Sequence, residues 1–171
     1  MLISSCNSSQ KKSSFPFPYA NTDRTVQYVG SGQCKQCHEK IYNSYKRSEM
    51  GRSMYPVQNG ETIGQISDKS PIYDQRLDLW FETVQREGKL YQREFRKDKT
   101  GEISHDRFVE AHYAMGSGNN LQMYFYEDGG MLYEHPLTRY VHKNKFDLSP
   151  GYKDFGNVRF SRFASAKCLS C

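Results

Sequence analysis

The chain has 171 residues, of which 36% are hydrophobic and 14% aromatic. That length suffices for one domain with a core, and no stretch approaches the roughly 18 consecutive apolar residues of a membrane span. Its 24 Lys and Arg against 19 Asp and Glu leave a formal charge of +5, which favours acidic partners, but the charges are mixed and no basic patch with interleaved aromatics is present, which excludes nucleic acid as a partner.

In chain order, Met1-Leu2-Ile3-Ser4-Ser5-Cys6 has the small residues before a cysteine found at the end of a bacterial lipoprotein signal, without the charged stretch that opens one. It implies export and a lipid anchor at Cys6, the only expected link to a membrane, with Met1 as a late start or a fragment boundary. Residues 1–27 are expected to be this signal remnant and a tether, since Asn7 to Ser14 is polar and Pro16 and Pro18 disfavour regular structure. The folded part is expected over residues 28–171.

Beyond Cys37, Ile41 and Tyr45 stand four apart beside Tyr42, the stripe of a short amphipathic helix bracketed by Gly51 and Pro56. Residues 57–76 read as polar loop. Leu77–Gln85 and Leu90–Arg96 flank a turn at Arg86-Glu87-Gly88-Lys89, and Leu121–Tyr126 and Met131–Tyr133 flank Glu127-Asp128-Gly129-Gly130, which predicts two β-hairpins. Between them Phe108–Met115 is predicted as a short helix closed by Gly116-Ser117-Gly118. A looser stretch from Pro150 leads to the end. The fold class expected is mixed α+β with short helices, two hairpins and much irregular structure.

The cysteines carry the chemistry. Cys6 stands alone, while Cys34 with Cys37 and Cys168 with Cys171 form two Cys-x-x-Cys pairs, which is no disulfide scaffold. The first pair continues as Cys34-Lys35-Gln36-Cys37-His38. Two thiols at this spacing can add across the vinyl groups of a porphyrin, and the adjacent imidazole can ligate its iron, which is the attachment motif of haem c. Three other readings stand beside it. A redox dithiol needs a preceding strand and a helix N-terminus, whereas Gly30-Ser31-Gly32-Gln33 reads as loop. A zinc-stabilised structural or binding domain would use Cys34, Cys37, Cys168 and Cys171 as four thiolates. A simple disulfide is the last. The chain stops at Cys171, one residue short of where a second haem motif places its histidine, so an incomplete sequence and a second haem in the intact chain are expected. For the far face of the first iron, Met50 and Met54 are the sulfur candidates. His105, His112, His135 and His142 are the nitrogen candidates, with His112 favoured by its place before the glycine loop.

Tyr28 to His38, then Ile41-Tyr42, Tyr45 and Ser48, resembles the opening of the multihaem cytochrome c-552/c-554 type domain. In that family a Ser-x-His supplies the distal histidine, and here Met50 stands at that position, which implies His–Met ligation or a ligand from elsewhere. Residues 28–171 further resemble a narrower group of exported bacterial multihaem c-type proteins that often carry tetratricopeptide repeats downstream. The matching segments are Met50 to Ser53, His112 with Gly116 to Asn119, the hairpin Tyr124 to Tyr133, Ser149 to Tyr152, and the terminal Cys168–Cys171. The resemblance implies a domain organised around covalent haem and makes His112 a candidate axial ligand, to the second haem.

Together these readings lead to electron transfer at the bacterial cell envelope, in the periplasm or another extracytoplasmic space, with redox proteins of the envelope as partners. A carrier is expected over a catalyst. A haem-dependent oxidoreductase, with Arg52 or His105 as acid–base groups, and the zinc domain are the alternatives.

Overall fold

The computed structural model describes residues 25–27, 29–57 and 70–165. Cys6, most of the tether, and the pair Cys168 and Cys171 lie outside the described residues. The chain divides into two compact units, Met1–Asn43 and Ser44–Cys171.

The first unit is built on α1 (Gly32–Arg47), which continues into the second. The helix starts before Cys34 rather than after Cys37, so the paired cysteines belong to it. Its backbone leaves the helical region at His38, with φ −124° and ψ 42°, and this kink divides the element. Lys46 and Arg47 occupy its last turn, where positive charge complements the carbonyl end. None of its residues is buried; Ile41 is 69% and Tyr45 48% exposed.

The second unit is mainly antiparallel sheet. In chain order its strands begin with β1 (Met54–Pro56), β2 (Ile72–Asp74), β3 (Leu79–Arg86), β4 (Lys89–Lys97), β5 (Ile103–Glu110) and β6 (Tyr113–Met115). They continue with β7 (Leu121–Asp128), β8 (Met131–Glu134), β9 (Leu137–Tyr140), β10 (Lys145–Leu148) and β11 (Arg162–Phe163). A short helix, α2 (Tyr152–Phe155), and three 3-10 turns complete it among the described residues. Strands β2-β3-β4-β5 form one sheet; β1-β6-β7-β8-β11 form a second, to which β9 joins through β7 and β10 through β9.

Both expected hairpins are present. In each the two loop residues have positive φ, 50° and 78° at Glu87-Gly88 and 58° and 77° at Gly129-Gly130. That left-handed pair matches the twist of the flanking strands. The helix expected over Phe108–Met115 is absent: the stretch is the end of β5 and all of β6. Val109 pairs with Gln92 and Phe108 with Arg93. Because β5 is an edge strand with polar residues on both sides of its apolar ones, its two-residue period is masked in the sequence. Within 57–76, expected as loop, Ile72–Asp74 is a strand beside β3, and 58–69 lie outside the described residues.

The core lies between the sheets. Leu79, Phe81 and Leu90 from the smaller sheet meet Ala114, Tyr124, Leu137, Phe146 and Leu148 from the larger, with Tyr152 of α2 sealing one end. Burying each large apolar side chain contributes about 1.5–3 kcal/mol. Gln92 is fully buried among them and still satisfied: its Nε2 donates to Leu137 O at 2.6 Å, and its Oε1 accepts from Leu137 N at 2.8 Å. This two-way bond fixes the register of one sheet on the other.

Candidate functional site

Cys34 and Cys37 are both exposed and, among the described residues, both unpaired thiols. Three residues apart on α1, they share one helical face about one turn apart. His38 follows at the kink, where its departure from helical angles turns it off the regular spiral. This donor set, two accessible thiols and an imidazole at the break of the helix that carries them, fits haem c. Ile41 and Tyr45 extend the exposed apolar stripe of the same helix.

The dithiol alternative gains and loses on the same geometry. Cys34 lies in the first turn of α1, its N–H donating to Ser31 O at 3.1 Å. Yet the regular segment before the kink runs only from Gly32 to Cys37, too short to develop a full macrodipole, and residues 29–31 are not strand. The four-thiolate zinc alternative rests half on Cys168 and Cys171, outside the described residues. Among the described residues no group of three His, Cys, Asp or Glu side chains is placed to hold a metal ion.

Met50 and His112 both belong to the second unit, and the same ladder positions them. Met50 opens a 3-10 turn through Arg52 and is 55% exposed. Ser48 holds this turn against the end of α1, its Oγ donating to Tyr45 O at 2.6 Å and accepting from Gly51 N at 3.0 Å. Past the turn, β1 pairs with β6, Met54 opposite Met115 and Pro56 opposite Tyr113. Gly116 N donates to Ser53 O at 2.6 Å, and Asn119 Nδ2 donates to Glu49 Oε1. The Met50–Ser53 and Gly116–Asn119 segments, separate motifs in the sequence, are therefore neighbours. His112 stands at the opposite end, its carbonyl accepting from Val57 N at 2.9 Å. Roughly 10 Å of extended strand separates the two ends, so Met50 and His112 are not arranged as the two axial ligands of one iron.

The histidines differ in the nitrogen they can offer. His112 Nδ1 accepts from Glu127 N–H at 2.9 Å, which puts the ring proton on Nε2 in the neutral form. His105 is the reverse: Nε2 lies 2.9 Å from Glu94 Oε1. Burial pushes the Glu94 carboxyl up, but hydrogen bonds and charge from Arg159 and His105 outweigh it and hold it below the usual carboxylate range. An ionised Glu94 accepts, so His105 Nε2 donates and Nδ1 keeps the lone pair. His142 Nε2 meets Asn120 Oδ1 at 2.9 Å, and His135 is fully buried against Tyr126 and Phe160. Arg52 is exposed. The Glu94–Arg159–His105 cluster is not visible in the sequence, because its members come from β4, β5 and the C-terminal 3-10 turn.

Comparison of the chain with models of known protein families, with curated proteins and with solved structures finds no match.

Proposed function

We propose that the chain is a c-type cytochrome of the bacterial cell envelope that carries electrons on covalently attached haem. The observation that supports this most is the pair of exposed, unpaired thiols of Cys34 and Cys37 one helical turn apart, followed directly by His38 at the kink of α1. Cys34 and Cys37 would hold the porphyrin by two thioether bonds, each thiol adding sulfur to one carbon of a vinyl group and its proton to the other, and His38 would offer its imidazole to the iron. When bound, the haem supplies a one-electron couple whose potential follows from its axial ligands.

Met50, exposed and held by the Ser48 bonds, is the proposed sixth ligand, and a thioether there raises the potential relative to bis-histidine ligation. Cys168 and Cys171 are the proposed thiols of a second haem, and His112 the candidate axial ligand to it. The same reading makes the molecule a member of the multihaem cytochrome domains that its motifs resemble. Because haem is attached to such motifs outside the cytoplasm, the protein works in the periplasm, anchored through Cys6, with envelope redox proteins as donors and acceptors.

The test is periplasmic expression together with a haem-maturation system. The expected product is coloured, with a c-type Soret band and haem retained in denaturing gels, and Cys34→Ser with Cys37→Ser abolishes retention. Colourless protein with one zinc per chain under these conditions replaces the cytochrome by a zinc domain.

A further inference from the structure

On the core face of the larger sheet, where β7 and β9 pair, the guanidinium of Arg139 has no counter-charge among the described residues. Arg139 pairs directly with Gln122 across the two strands, and its Nη1 donates to Gln122 Oε1 at 2.9 Å. Its Nε is buried and has no hydrogen-bond partner, and no carboxylate among the described residues lies within 4.0 Å of it. Two residues along β7, on the same face, Tyr124 is fully buried and its hydroxyl is likewise without a partner. Tyr55 lies across β6 from Tyr124, both being opposite Ala114. The Tyr55 hydroxyl accepts from Gln122 Nε2, which leaves its own proton to donate. Tyr55, Tyr124 and Arg139 are close enough to act on one another electrostatically: burial pushes both phenols up, and the Arg139 charge opposes that.

The cluster is thus rich in donors and poor in acceptors. Gln122 is consumed internally, and what remains is a positive guanidinium edge and two phenolic protons. Other arginines of this chain show what that edge takes. Arg93 grips Asp106 through Nε at 2.6 Å and Nη2 at 3.0 Å, and Arg159 grips Glu94 through the same two nitrogens. With Nη1 held by Gln122 and Nε buried without a partner, Arg139 has this side of its guanidinium unused and meets no carboxylate among the described residues. A water molecule can accept from the donors but leaves the charge unbalanced, and one cation with neutral phenols matches a monoanion rather than a dianion.

We infer that Arg139, Tyr124 and Tyr55 form a binding site for a carboxylate group, gripped side-on by the Nε/Nη2 edge of Arg139 and capped by the two phenolic hydroxyls. The inference does not depend on the cytochrome reading.

Acetate is the probe, titrated into the full chain at constant ionic strength with sodium chloride as the balancing salt. The expected result is a saturable rise in melting temperature with acetate that chloride does not reproduce, and saturable broadening of the acetate carbon signal by NMR. Arg139→Gln is expected to remove both. Tyr124→Phe is expected to weaken acetate about tenfold without lowering stability in its absence, since it deletes a donor that has no partner among the described residues. Equal effects of acetate and chloride on the wild type would mean that only water or nonspecific ions occupy the cluster, and overturn the site. Should Arg139→Gln not fold, unchanged acetate affinity in Tyr124→Phe overturns it equally.

Discussion

Glu94 and Arg159 lie 65 positions apart and form a two-point ion pair: Arg159 Nε donates to Glu94 Oε2 at 2.8 Å and Nη2 donates to Oε1. The pair fastens the 3-10 turn Arg159–Ser161 to β4, and Arg159 adopts φ +58° to reach it. A non-glycine residue in the left-handed region persists only where surrounding contacts outweigh its cost of about 1–2 kcal/mol.

Removing the two partners should not be equivalent. Glu94 is completely buried, whereas the Arg159 side chain is 41% exposed. Arg159→Ala leaves a buried carboxylate with only His105, a loss of about 3 kcal/mol. Glu94→Leu removes the buried charge and lets Arg159 return to water, so it is expected to cost less. Denaturant unfolding of both variants measures the order, and a larger loss in Glu94→Leu would show that the pair is effectively solvated.

His135 should make the second unit acid-sensitive in a window of its own. Burial pushes its imidazole down to about 3, and it stays neutral in the folded chain. In the unfolded chain it takes up a proton near its ordinary value of about 6.5. Between these values the unfolded state binds the extra proton, so stability falls as pH falls, by about 1.4 kcal/mol per pH unit. Glu94 has a folded value below its unfolded one, so its contribution is present above about 4.5 and is lost only below that. Between about pH 6.5 and 4.5 Glu94 adds no slope, whereas Glu134, whose carboxyl burial pushes up, favours folding as pH falls and opposes His135. The difference between wild type and His135→Phe therefore isolates the histidine, and His135→Phe is expected to remove the fall in stability. An unchanged slope in that variant would place the acid sensitivity elsewhere.

The hairpins were legible because Gly88, Gly129 and Gly130 announce the turns, and the apolar stripe of Ile41 and Tyr45 announced α1. The strands β9 and β10 were not, since Thr138, Arg139, Lys145 and Asp147 read as polar, although Leu137, Thr138, Phe146 and Leu148 are buried. Cys34, Cys37 and His38 depend on covalent spacing alone and could be read directly. The Glu94 and Arg139 clusters depend on cross-strand register, which one-dimensional periodicity does not contain.

Gly116 joins the two motif segments at a position where no side chain fits. Its φ is +120°, and a Cβ there would lie 2.1 Å from Leu121 O. Its N–H also donates to Ser53 O. Gly116→Ala should therefore displace the loop and destabilise the second unit by about 2 kcal/mol or more, whereas Gly129→Ala, with open space at its Cβ, should cost only the left-handed strain. Comparable melting temperatures for the two variants would contradict the close approach.

The sixth ligand can be tested with substitutions matched to the contacts each residue makes. Met50 has its side chain exposed and its carbonyl held by Ser53, and Ser48 binds the next residue, Gly51, so Met50→Leu leaves the turn intact. If its sulfur ligates the haem at Cys34–His38, this variant loses the near-infrared methionine-to-iron charge-transfer band and its potential drops. His112 has a structural duty as well, since its Nδ1 accepts from Glu127 N–H, and ligation through Nε2 requires the ring to give up the tautomer that bond favours. His112→Asn can keep an acceptor for Glu127 with its side-chain oxygen while removing any ligand. With Cys168 and Cys171 both changed to Ser, so that only the first haem is attached, a low-spin spectrum retained in His112→Asn and changed in Met50→Leu assigns the methionine. Conversion to high spin in His112→Asn, with the melting temperature unchanged, assigns the histidine and shows that its bond to Glu127 yields when haem is attached.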